Sequence, residues 1–346
     1  FWNRTNIQPN NVNWVTIPNL GEDIMAKKVL VFGDIGIDDT VALIYAFLDD
    51  AIDVVGVVAD YGNVSRDKAM ANVNYIRRLF DIDPDIEIIL GAEIPMTGEK
   101  PEFFPEIHGE YGLGPIKPPL HNAEGVEENF FEVVEIIKRY RDQDLVIVNI
   151  GRLTSLATMF ILYPYIMENV HGIYIMGGAF WVPGNATAVS EANFYGDPIA
   201  AQLVLKNAHD VTIVPLNVTT QAIATPQMVD YIDQAGRAQI VKPLLDYYYR
   251  YYKQRNPRIQ GSPLHDVVTL MAIVYDDLFA FRFLPVDIVQ AADGIVRGQS
   301  IADIRPYVDV LENEAEEEKH HRIALELDYW KFYHYFMATM TGQVNQ

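Results

Sequence analysis

Cysteine is absent from this sequence. Disulfide bonds, thiolate metal sites and cysteine nucleophiles are therefore excluded together. The absence is typical of proteins from a reducing compartment, and we expect a cytoplasmic location. No apolar run approaches the roughly 20 residues that a membrane-spanning helix needs, so we expect no membrane partner.

Positive charge is also scarce. The chain carries 26 Lys and Arg residues against 47 Asp and Glu residues, which gives a formal net charge of -21 at pH 7. Such a surface repels polyanions, so nucleic acid is not an expected partner either. Part of the acidity is local, since residues 312–318 read ENEAEEE and are predicted to form a solvated loop.

What the chain does contain is enough apolar sequence for a full core. Of its 346 residues 50% are hydrophobic, and this length suits one large α/β domain or two smaller ones. No change of composition and no flexible linker divides the chain, so we predict a single domain over residues 26–346. Residues 1–25 are polar and lack the basic-then-apolar plan of a signal peptide. We expect them to be an extension or a cloning remnant ahead of the fold.

Strand-like apolar runs alternate with helix-like segments along most of the chain. Strands are predicted at residues 29–32, 52–59, 86–90, 145–149, 172–176, 210–216, 283–289 and 321–327. Helices are predicted at residues 40–47, 65–80, 126–140, 153–162, 198–206 and 330–340, with a helical region over 226–275. The alternation indicates an α/β fold with a mostly parallel central sheet flanked by helices, a Rossmann-like open sheet. An irregular stretch at 91–125 is typical of a binding loop or lid, and a second one spans 179–197.

The prediction centres on residues 29–46, which read VLVFGDIGIDDTVALIYA. An apolar strand leads into a glycine-containing turn, so Asp34, Asp38 and Asp39 crowd the carboxyl end of the strand, where open α/β sheets bind ligands. Carboxylates so close together repel one another unless a cation lies among them, and an all-oxygen set favours Ca²⁺ or Mg²⁺. The plainer alternative is a capped helix with Asp38 or Asp39 near its N-terminus. That alternative explains neither Asp34 nor the two glycines of the turn.

Polar or glycine-rich turns also follow the second, fourth and fifth predicted strands, and the carboxyl ends of parallel strands share one edge of the sheet. The residues expected to meet there are Asp34, Asp38, Asp39, Asn63, the backbone at Ile150 and Met176, and, close by, Asn185, Glu191, Asn193, His265 and Asp266. Taken singly, several of them have plainer explanations. Asn185 suits a turn and Glu191 a solvated surface. His108 suits an ordinary loop position, and His265-Asp266 suits a helix cap beside a satisfied histidine.

A tyrosine-rich segment lies in the later, helical region. Five tyrosines occupy six successive positions at 247–252. A stripe facing the core is the plain interpretation, but these positions cannot all lie on one side of a helix. Some of the rings must therefore face a cleft or solvent.

The stretch Phe32–Asp39 resembles the Asp-x-Asp-x-Gly-x-Asp-Asp signature of the nucleoside hydrolases. The likeness continues, in the order that the family shows, through Gly62-Asn63, His108-Gly109-Glu110, Gly151-Arg152-Leu153-Thr154, Met176-Gly177-Gly178, Gly184-Asn185-Ala186-Thr187, Glu191-Ala192-Asn193 and His265-Asp266. It covers roughly residues 27–340. The His265-Asp266 pair is most similar to the inosine–uridine-preferring branch.

This resemblance implies a Ca²⁺-dependent enzyme that hydrolyses the N-glycosidic bond of ribonucleosides to free base and ribose, in purine or pyrimidine salvage. The implied metal ligands are the carboxylates of Asp34, Asp39 and Asp266 and the main-chain carbonyl of Ile150. Asp34 is also the implied general base for water, and His265 is the candidate donor of a proton to the departing base. The bond that breaks leaves positive charge on the ribose, which a rim of carboxylates stabilises.

The resemblance also assigns the substrate contacts. The ribose-binding residues would be Asp38 at the 2′-hydroxyl, Glu191 at the 5′-hydroxyl, and Asn63, Met176, Asn185 and Asn193 around them. His108, Tyr248 and Tyr252 would line the pocket for the base. Because relatives are commonly dimers or tetramers, a homodimer or homotetramer is expected.

The chain departs from the family pattern at several positions. Phe32 replaces the first acid of the signature, and Ile35 replaces a proline. Arg152 takes the place of a small residue or proline, and Ala192 that of a bulky aromatic, which opens the base side. A ribose- or nucleoside-binding protein with little turnover is therefore the second hypothesis. A third hypothesis is a Mg²⁺-dependent phosphotransferase or phosphatase. It needs a phosphate-binding cradle of basic residues or a P-loop, and the sequence has no Gly-Lys-Ser/Thr loop.

Overall fold

The computed structural model describes residues 26–119, 128–303, 305 and 319–343. The expected extension at 1–25 and the acidic run at 312–318 lie outside the described residues. Within the described part of the chain, no helix combines the length and apolarity needed to cross a bilayer.

A single eight-stranded sheet forms the centre of the molecule. In chain order the strands are β1 (Lys27–Gly33), β2 (Ile52–Ala59), β3 (Glu87–Leu90), β4 (Val146–Asn149), β5 (Gly172–Met176), β6 (Val211–Val214), β7 (Ile223–Ala224), β8 (Ser262–Pro263), β9 (Phe279–Pro285), β10 (Asp287–Ile288), β11 (Ser300–Ile301) and β12 (His320–Leu327). The sheet order is β3-β2-β1-β4-β5-β6-β12-β9, and β7 with β8 and β10 with β11 form two small separate pairs. Every neighbouring pair in the large sheet is parallel except β9 with β12. The predicted fold class, a mostly parallel sheet in one domain, is confirmed.

Helices cover both faces of this sheet. They are α1 (Ile37–Leu48), α2 (Arg66–Leu79), α3 (Pro105–His108), α4 (Glu132–Tyr140), α5 (Thr154–Leu162), α6 (Pro164–Met167), α7 (Ala192–Gly196), α8 (Pro198–Asn207), α9 (Leu216–Thr219), α10 (Pro226–Ala235), α11 (Val241–Arg255), α12 (His265–Met271) and α13 (Tyr329–Thr341), with a 3₁₀ turn at Asp276–Leu278. Alternate residues of β1 enter different cores. Val29 and Val31 join the apolar cluster under α1, α2 and α10–α13, whereas Leu30 and Phe32 join the one under α4, α5 and α8. This alternation follows from the two-residue period of a strand.

The first helix begins earlier than predicted. Asp38 and Asp39 lie in the first turn of α1 and not in the turn before it. The Asp39 carboxylate accepts a hydrogen bond from the Gly36 N–H (2.9 Å), which supplies a partner for a backbone group that the helix itself cannot satisfy. The capped helix that was the plainer alternative for Asp38 and Asp39 is therefore present, although the helix was predicted to begin at Thr40.

Other boundaries also differ from the prediction. Helix α4 begins at Glu132 and not at 126, because Asn129 is drawn to the sheet edge by hydrogen bonds with Leu90 N (3.0 Å) and Ile88 O (3.1 Å). Strand β9 ends at Pro285, which has no N–H to donate, so the strand predicted at 283–289 was placed too late. The two irregular stretches contain α3 and α7, and the helical region at 226–275 is interrupted by β8.

Candidate active site

One large cavity opens at the carboxyl ends of β1, β4 and β5. Its volume is about 1010 Å³. Twelve of the predicted site residues line it: Asp38, Asn63, His108, Ile150, Met176, Asn185, Glu191, Asn193, Tyr248, Tyr252, His265 and Asp266. Asp34 and Asp39, the other two, lie directly behind Asn63, whose side-chain amide donates to both carboxylates at 3.1 and 2.9 Å. The structure therefore brings the predicted residues together.

Three buried carboxylates converge at the cavity and form its acidic floor: Asp38 and Asp266 line the cavity, and Asp39 lies behind Asn63. Among the described residues, Asp38, Asp39 and Asp266 offer oxygen atoms that all lie within 4.8 Å of one another. Two of these aspartates come from the first turn of α1 and the third from the first turn of α12, and the two helices pack together. Their convergence is thus a product of helix packing between segments far apart in the sequence.

Among the described residues, no lysine or arginine forms an ion pair with these three carboxylates. Asp38 Oδ1 and Asp39 Oδ1 are buried without a hydrogen-bond donor among the described groups. Burial, followed by the neighbouring Asp39, raises the pKa of Asp38 to about 6. Burial and the other acids raise the pKa of Asp39 and of Asp266 well above the usual range. Unpartnered buried carboxylate oxygens of this kind fit a hard divalent cation.

Asp34 faces a different set of partners. Its Oδ2 accepts from the Asn63 backbone N–H (2.7 Å) and its Oδ1 from the Asn63 amide. Burial raises the pKa of Asp34 to about 7, against the opposing charge of Arg152. Asp34, a predicted metal ligand, is thus not among the three converging carboxylates but adjoins them through Asp39.

Asn193 ties two strand ends together. Its side-chain amide donates to the carbonyl of Ile150 (3.1 Å) and to that of Met176 (3.0 Å), which follow β4 and end β5. The Ile150 carbonyl, a predicted metal ligand, therefore has one protein partner, and a carbonyl oxygen can accept a second contact.

Glu191 and Asn185 shape the adjoining wall. The Glu191 carboxylate accepts three backbone N–H groups, from Asn193 (2.8 Å), Phe194 (3.1 Å) and Gly178 (3.1 Å), and so caps α7. Burial raises the pKa of Glu191 to about 7. Asn185 accepts from the Ala192 N–H (2.9 Å). These bonds fix a polar wall beside the acidic floor.

A chain of hydrogen-bonding groups forms the opposite wall. Tyr248 donates to Asp38 Oδ2 (3.0 Å) and lies 3.3 Å from the hydroxyl of Tyr252. The Tyr252 hydroxyl lies 3.4 Å from His265 Nε2, and His265 Nδ1 lies 2.8 Å from Thr219 Oγ1. Burial lowers the pKa of His265 to about 4, so the ring is neutral at pH 7.

His108 completes this wall. Its Nδ1 accepts a hydrogen bond from the Ile37 N–H (3.1 Å), and its ring lies 5.8 Å from that of Tyr248. Burial lowers the pKa of His108, so the ring is neutral and its hydrogen is on Nε2. The ring can therefore donate one hydrogen bond through Nε2.

The tyrosines of the segment 247–252 face different surroundings, as the sequence predicted. Tyr248 and Tyr252 are four residues apart and share the face of α11 that meets the cavity, whereas Tyr251 lies at the rim and stacks with Arg255. Sequence reasoning missed Thr219 as the partner of His265. The polar turn after β6 was its only signal. Arg297, in the segment between β10 and β11, was also not predicted as a site residue. Its side chain lines the cavity and forms an ion pair with Glu99.

The fold defines the class of protein, because solved nucleoside hydrolases share it. One of them, a purine-preferring ribonucleoside hydrolase from Gardnerella vaginalis, superposes with a TM-score of 0.80 at 27% identity, over 91% of this chain and 98% of its own. The sequence profile described as "Inosine-uridine preferring nucleoside hydrolase" matches residues 29–334. The chain belongs to this family and is a hydrolase that acts on ribonucleosides.

Two curated relatives agree with this placement. The inosine-uridine preferring nucleoside hydrolase of Crithidia fasciculata is 28% identical over 313 residues, which are 89% of this chain and 96% of the relative. The probable uridine nucleosidase 2 of Arabidopsis thaliana is 32% identical over 258 residues, 74% of this chain and 80% of the relative.

Proposed function

We propose that this chain hydrolyses the N-glycosidic bond of neutral ribonucleosides of the inosine or uridine type and uses Ca²⁺ at the acidic floor of its cavity. The products would be the free base and ribose. One observation carries the proposal: Asp38, which has a buried carboxylate oxygen without a donor, lines the same cavity as His265 and Tyr252. Together they would provide a site for a cation that holds the sugar and a group that protonates the departing base.

The donor set fits Ca²⁺. All candidate ligands are oxygens, from Asp34, Asp39, Asp266 and the Ile150 carbonyl, with Asp38 in the same group of converging oxygens. When bound, the cation would neutralise the buried acids, hold a sugar diol and favour ionisation of a water molecule. The spare acceptor capacity at Ile150 and the unpartnered oxygen of Asp39 support this assignment.

The side chains around the floor would bind the ribose and accept a proton. Asp34, held by two hydrogen bonds from Asn63 beside the acidic floor, would accept the proton of the attacking water. Asp38 would accept a hydrogen bond from the 2′-hydroxyl. The other sugar oxygens would be bound by four polar side chains, Asn63, Asn185, Glu191 and Asn193. The carboxylates stabilise the positive charge of the oxocarbenium-like transition state more than they stabilise the neutral substrate.

Protonation of the departing base is assigned to the opposite wall. His265 is buried and neutral, and it lies between the hydroxyls of Thr219 and Tyr252. A neutral imidazole can pass on a proton from one nitrogen while it receives one at the other. His108 would bind an acceptor atom of the base through its Nε2–H.

The proposal also covers which bases the enzyme accepts, its role in the cell and its oligomeric state. The relatives carry both inosine-uridine and uridine names, and a solved neighbour is purine-preferring. Ala192 leaves space where a bulky aromatic would narrow the base side, so we propose activity on both base classes. A role in nucleoside salvage, a cytoplasmic location and a homodimer or homotetramer are proposed from the same kinship, and the net charge of -21 argues against a nucleic acid partner.

The decisive experiment is release of reducing sugar from inosine and from uridine. We expect turnover by the purified protein, loss of turnover after treatment with a chelator, and recovery with Ca²⁺. Asp34→Ala should lower turnover by at least about a thousandfold, because the proposal gives this carboxylate two tasks. Near-normal turnover in that variant would remove the assignment of Asp34.

A binding protein with little turnover is the second candidate. Phe32, buried in the position of the first signature acid, and the buried cation Arg152 are the observations that favour it. Calorimetry with inosine discriminates the two, since tight binding without any release of ribose would support this candidate and exclude hydrolysis.

A further inference from the structure

Arg152 is a buried arginine whose side chain is fixed by packing and by a hydrogen bond. The side chain is only 7% exposed and lies over the ring of Tyr61, with 4.8 Å from the guanidinium carbon to the ring centroid. Its Nη2 donates to the carbonyl of Glu102 (3.1 Å). Gly196 leaves the necessary room, because a Cβ there would lie 2.5 Å from Nε of Arg152. The guanidinium is therefore held in one position at the cavity wall.

This buried cation has no conventional ion-pair partner. None of the described carboxylates lies within ion-pair distance of Arg152. The preceding residue, Gly151, abuts Asp34: a Cβ at Gly151 would lie 2.9 Å from Asp34 N and 3.1 Å from Asp34 Oδ1. Asp34 therefore lies beside the backbone that carries Arg152, and the positive charge of Arg152 lowers the pKa of Asp34 against the larger effect of burial.

Charge compensation within the acidic site is consequently uneven. Asp34 has both oxygens hydrogen-bonded by Asn63 and a guanidinium nearby. Asp38 and Asp39 each keep one buried oxygen without a donor. Asp34 therefore has donors for both oxygens and a guanidinium nearby, whereas one oxygen each of Asp38 and Asp39 is free to contact a cation.

We propose that Arg152 is a built-in counter-charge to Asp34, which stabilises the acidic site without metal and lowers its affinity for a divalent cation. The inference rests on the metal site of the proposed function. A guanidinium and a divalent cation that share one buried acidic site repel each other, and burial leaves this repulsion poorly screened by salt. Arg152 acts here through Asp34, as a positioning residue.

The alternative role for Arg152 is mechanical. Its stacking on Tyr61 and its bond to Glu102 connect the turn after β4 to the segment before α3, so that loss of the side chain could simply loosen this segment. Substitutions of Arg152 can distinguish the effect of its charge from the effect of its shape. Arg152→Lys keeps the charge and loses the stacking and the planar donor group, whereas Arg152→Gln and Arg152→Met lose the charge and keep part of the stem.

The test is a titration of metal-stripped protein with Ca²⁺ alone, in competition with a chelating dye. Arg152→Gln and Arg152→Met should bind Ca²⁺ at least about tenfold more tightly than the wild type, and Arg152→Lys should stay within about threefold of it. The matched control is Arg139→Gln, which removes one positive charge from the exposed surface of α4. A second readout is the melting temperature in chelator, which we expect to be a few degrees lower in the two uncharged variants and restored by saturating Ca²⁺.

The outcomes separate this inference from the proposed function. If the wild type binds Ca²⁺ and the uncharged variants bind it equally or more weakly, the counter-charge role is wrong. Equal shifts in the Lys and Gln variants would instead show the mechanical role. Absence of Ca²⁺ binding in every variant, including the wild type, would overturn both the inference and the proposed cofactor. Normal metal binding without ribose release would overturn the proposed activity alone.

Discussion

His265 is the proposed donor of a proton to the departing base. It is 5% exposed, and both ring nitrogens face hydroxyl groups, at Thr219 and at Tyr252. This geometry suits transfer of a proton and would be superfluous for a histidine that only packs. The plain alternative, a satisfied core histidine, fits the Thr219 contact but not the contact with a tyrosine in the cavity wall.

The first prediction concerns this residue. His265→Ala should slow hydrolysis of inosine by about a hundredfold or more and leave a nitrophenyl riboside nearly unaffected, because nitrophenolate departs without a proton. Steady-state rates on both substrates measure the difference. An equal loss on the two substrates would show that His265 only shapes the pocket.

Asp60 is a buried acid outside the catalytic assignment. Its Oδ1 accepts the Ala92 N–H (2.8 Å) and the hydroxyl of Ser155, whereas its Oδ2 is buried without a described partner. Burial raises the pKa of Asp60 from 3.8 to about 7. Between these two pH values the folded state keeps a proton that the unfolded chain releases.

The second prediction follows from the sign of this shift. The contribution of Asp60 to stability is complete below pH 3.8 and is lost as the pH rises through about 7. Asp60→Asn, which stays neutral, should gain stability relative to the wild type as the pH rises, by at most about 1.4 kcal/mol per pH unit in this window. Urea unfolding from pH 5 to 8 measures it, with Asp142→Asn on the surface as the control for a lost charge. A constant difference between wild type and variant would contradict the prediction.

At the scale of elements, the C-terminus of α1 is anchored by Asp49. Its carboxylate accepts hydrogen bonds from Tyr45 in the same helix (2.7 Å), Tyr275 after α12 (3.3 Å) and Thr339 in α13 (3.4 Å). It also accepts the Ala51 N–H (3.0 Å). Because α1 and α12 supply the three converging carboxylates, a bond that fixes α1 against α13 also supports the site.

The third prediction tests this anchor. Asp49→Ala should lower the free energy of unfolding by about 2–4 kcal/mol, since it leaves buried hydroxyl groups without an acceptor. Asp49→Asn keeps one acceptor oxygen and should cost less. Urea denaturation provides the measurement, and the exposed neighbour Asp50→Ala is the control. A cost below about 0.5 kcal/mol for Asp49→Ala would show that water replaces the lost acceptor.

At the scale of the whole molecule, charge is the dominant feature. The formal net charge is -21, and the acids at the floor of the cavity add to the repulsion within the folded state. Self-repulsion of this kind destabilises the compact state. The site and the surface therefore respond to different additives, one to a specific cation and the other to salt in general.

The fourth prediction separates these responses. In chelator, an increase of ionic strength from about 0.01 to about 0.15 M should raise the melting temperature, and sodium and choline chloride should act equally, because the screening length falls from about 30 to about 8 Å. Micromolar Ca²⁺ should add a further increase that choline cannot reproduce. A melting temperature independent of salt would show that the acidic surface exerts no net destabilisation.

The sequence by itself determined the sheet and most of its boundaries. The apolar runs that became β2 and β5 carry the correct ends, since a parallel strand buried on both faces leaves an uninterrupted apolar signature. The acids that follow β1 predicted a cation site, because like charges in a tight turn repel one another unless a positive charge lies among them. The family signature carried the rest of the candidate residues, and all of them meet at one edge of the sheet.

Only the tertiary structure decided which groups touch. Asp266 reaches Asp38 and Asp39 because α12 packs on α1, and Thr219 reaches His265 across 46 positions of the chain. The space that Gly196 leaves for Arg152 is equally invisible in the sequence, where an arginine in a glycine-rich turn suits a solvated surface. Contacts between distant segments depend on the packing of helices against the sheet, and local periodicity carries no record of that packing.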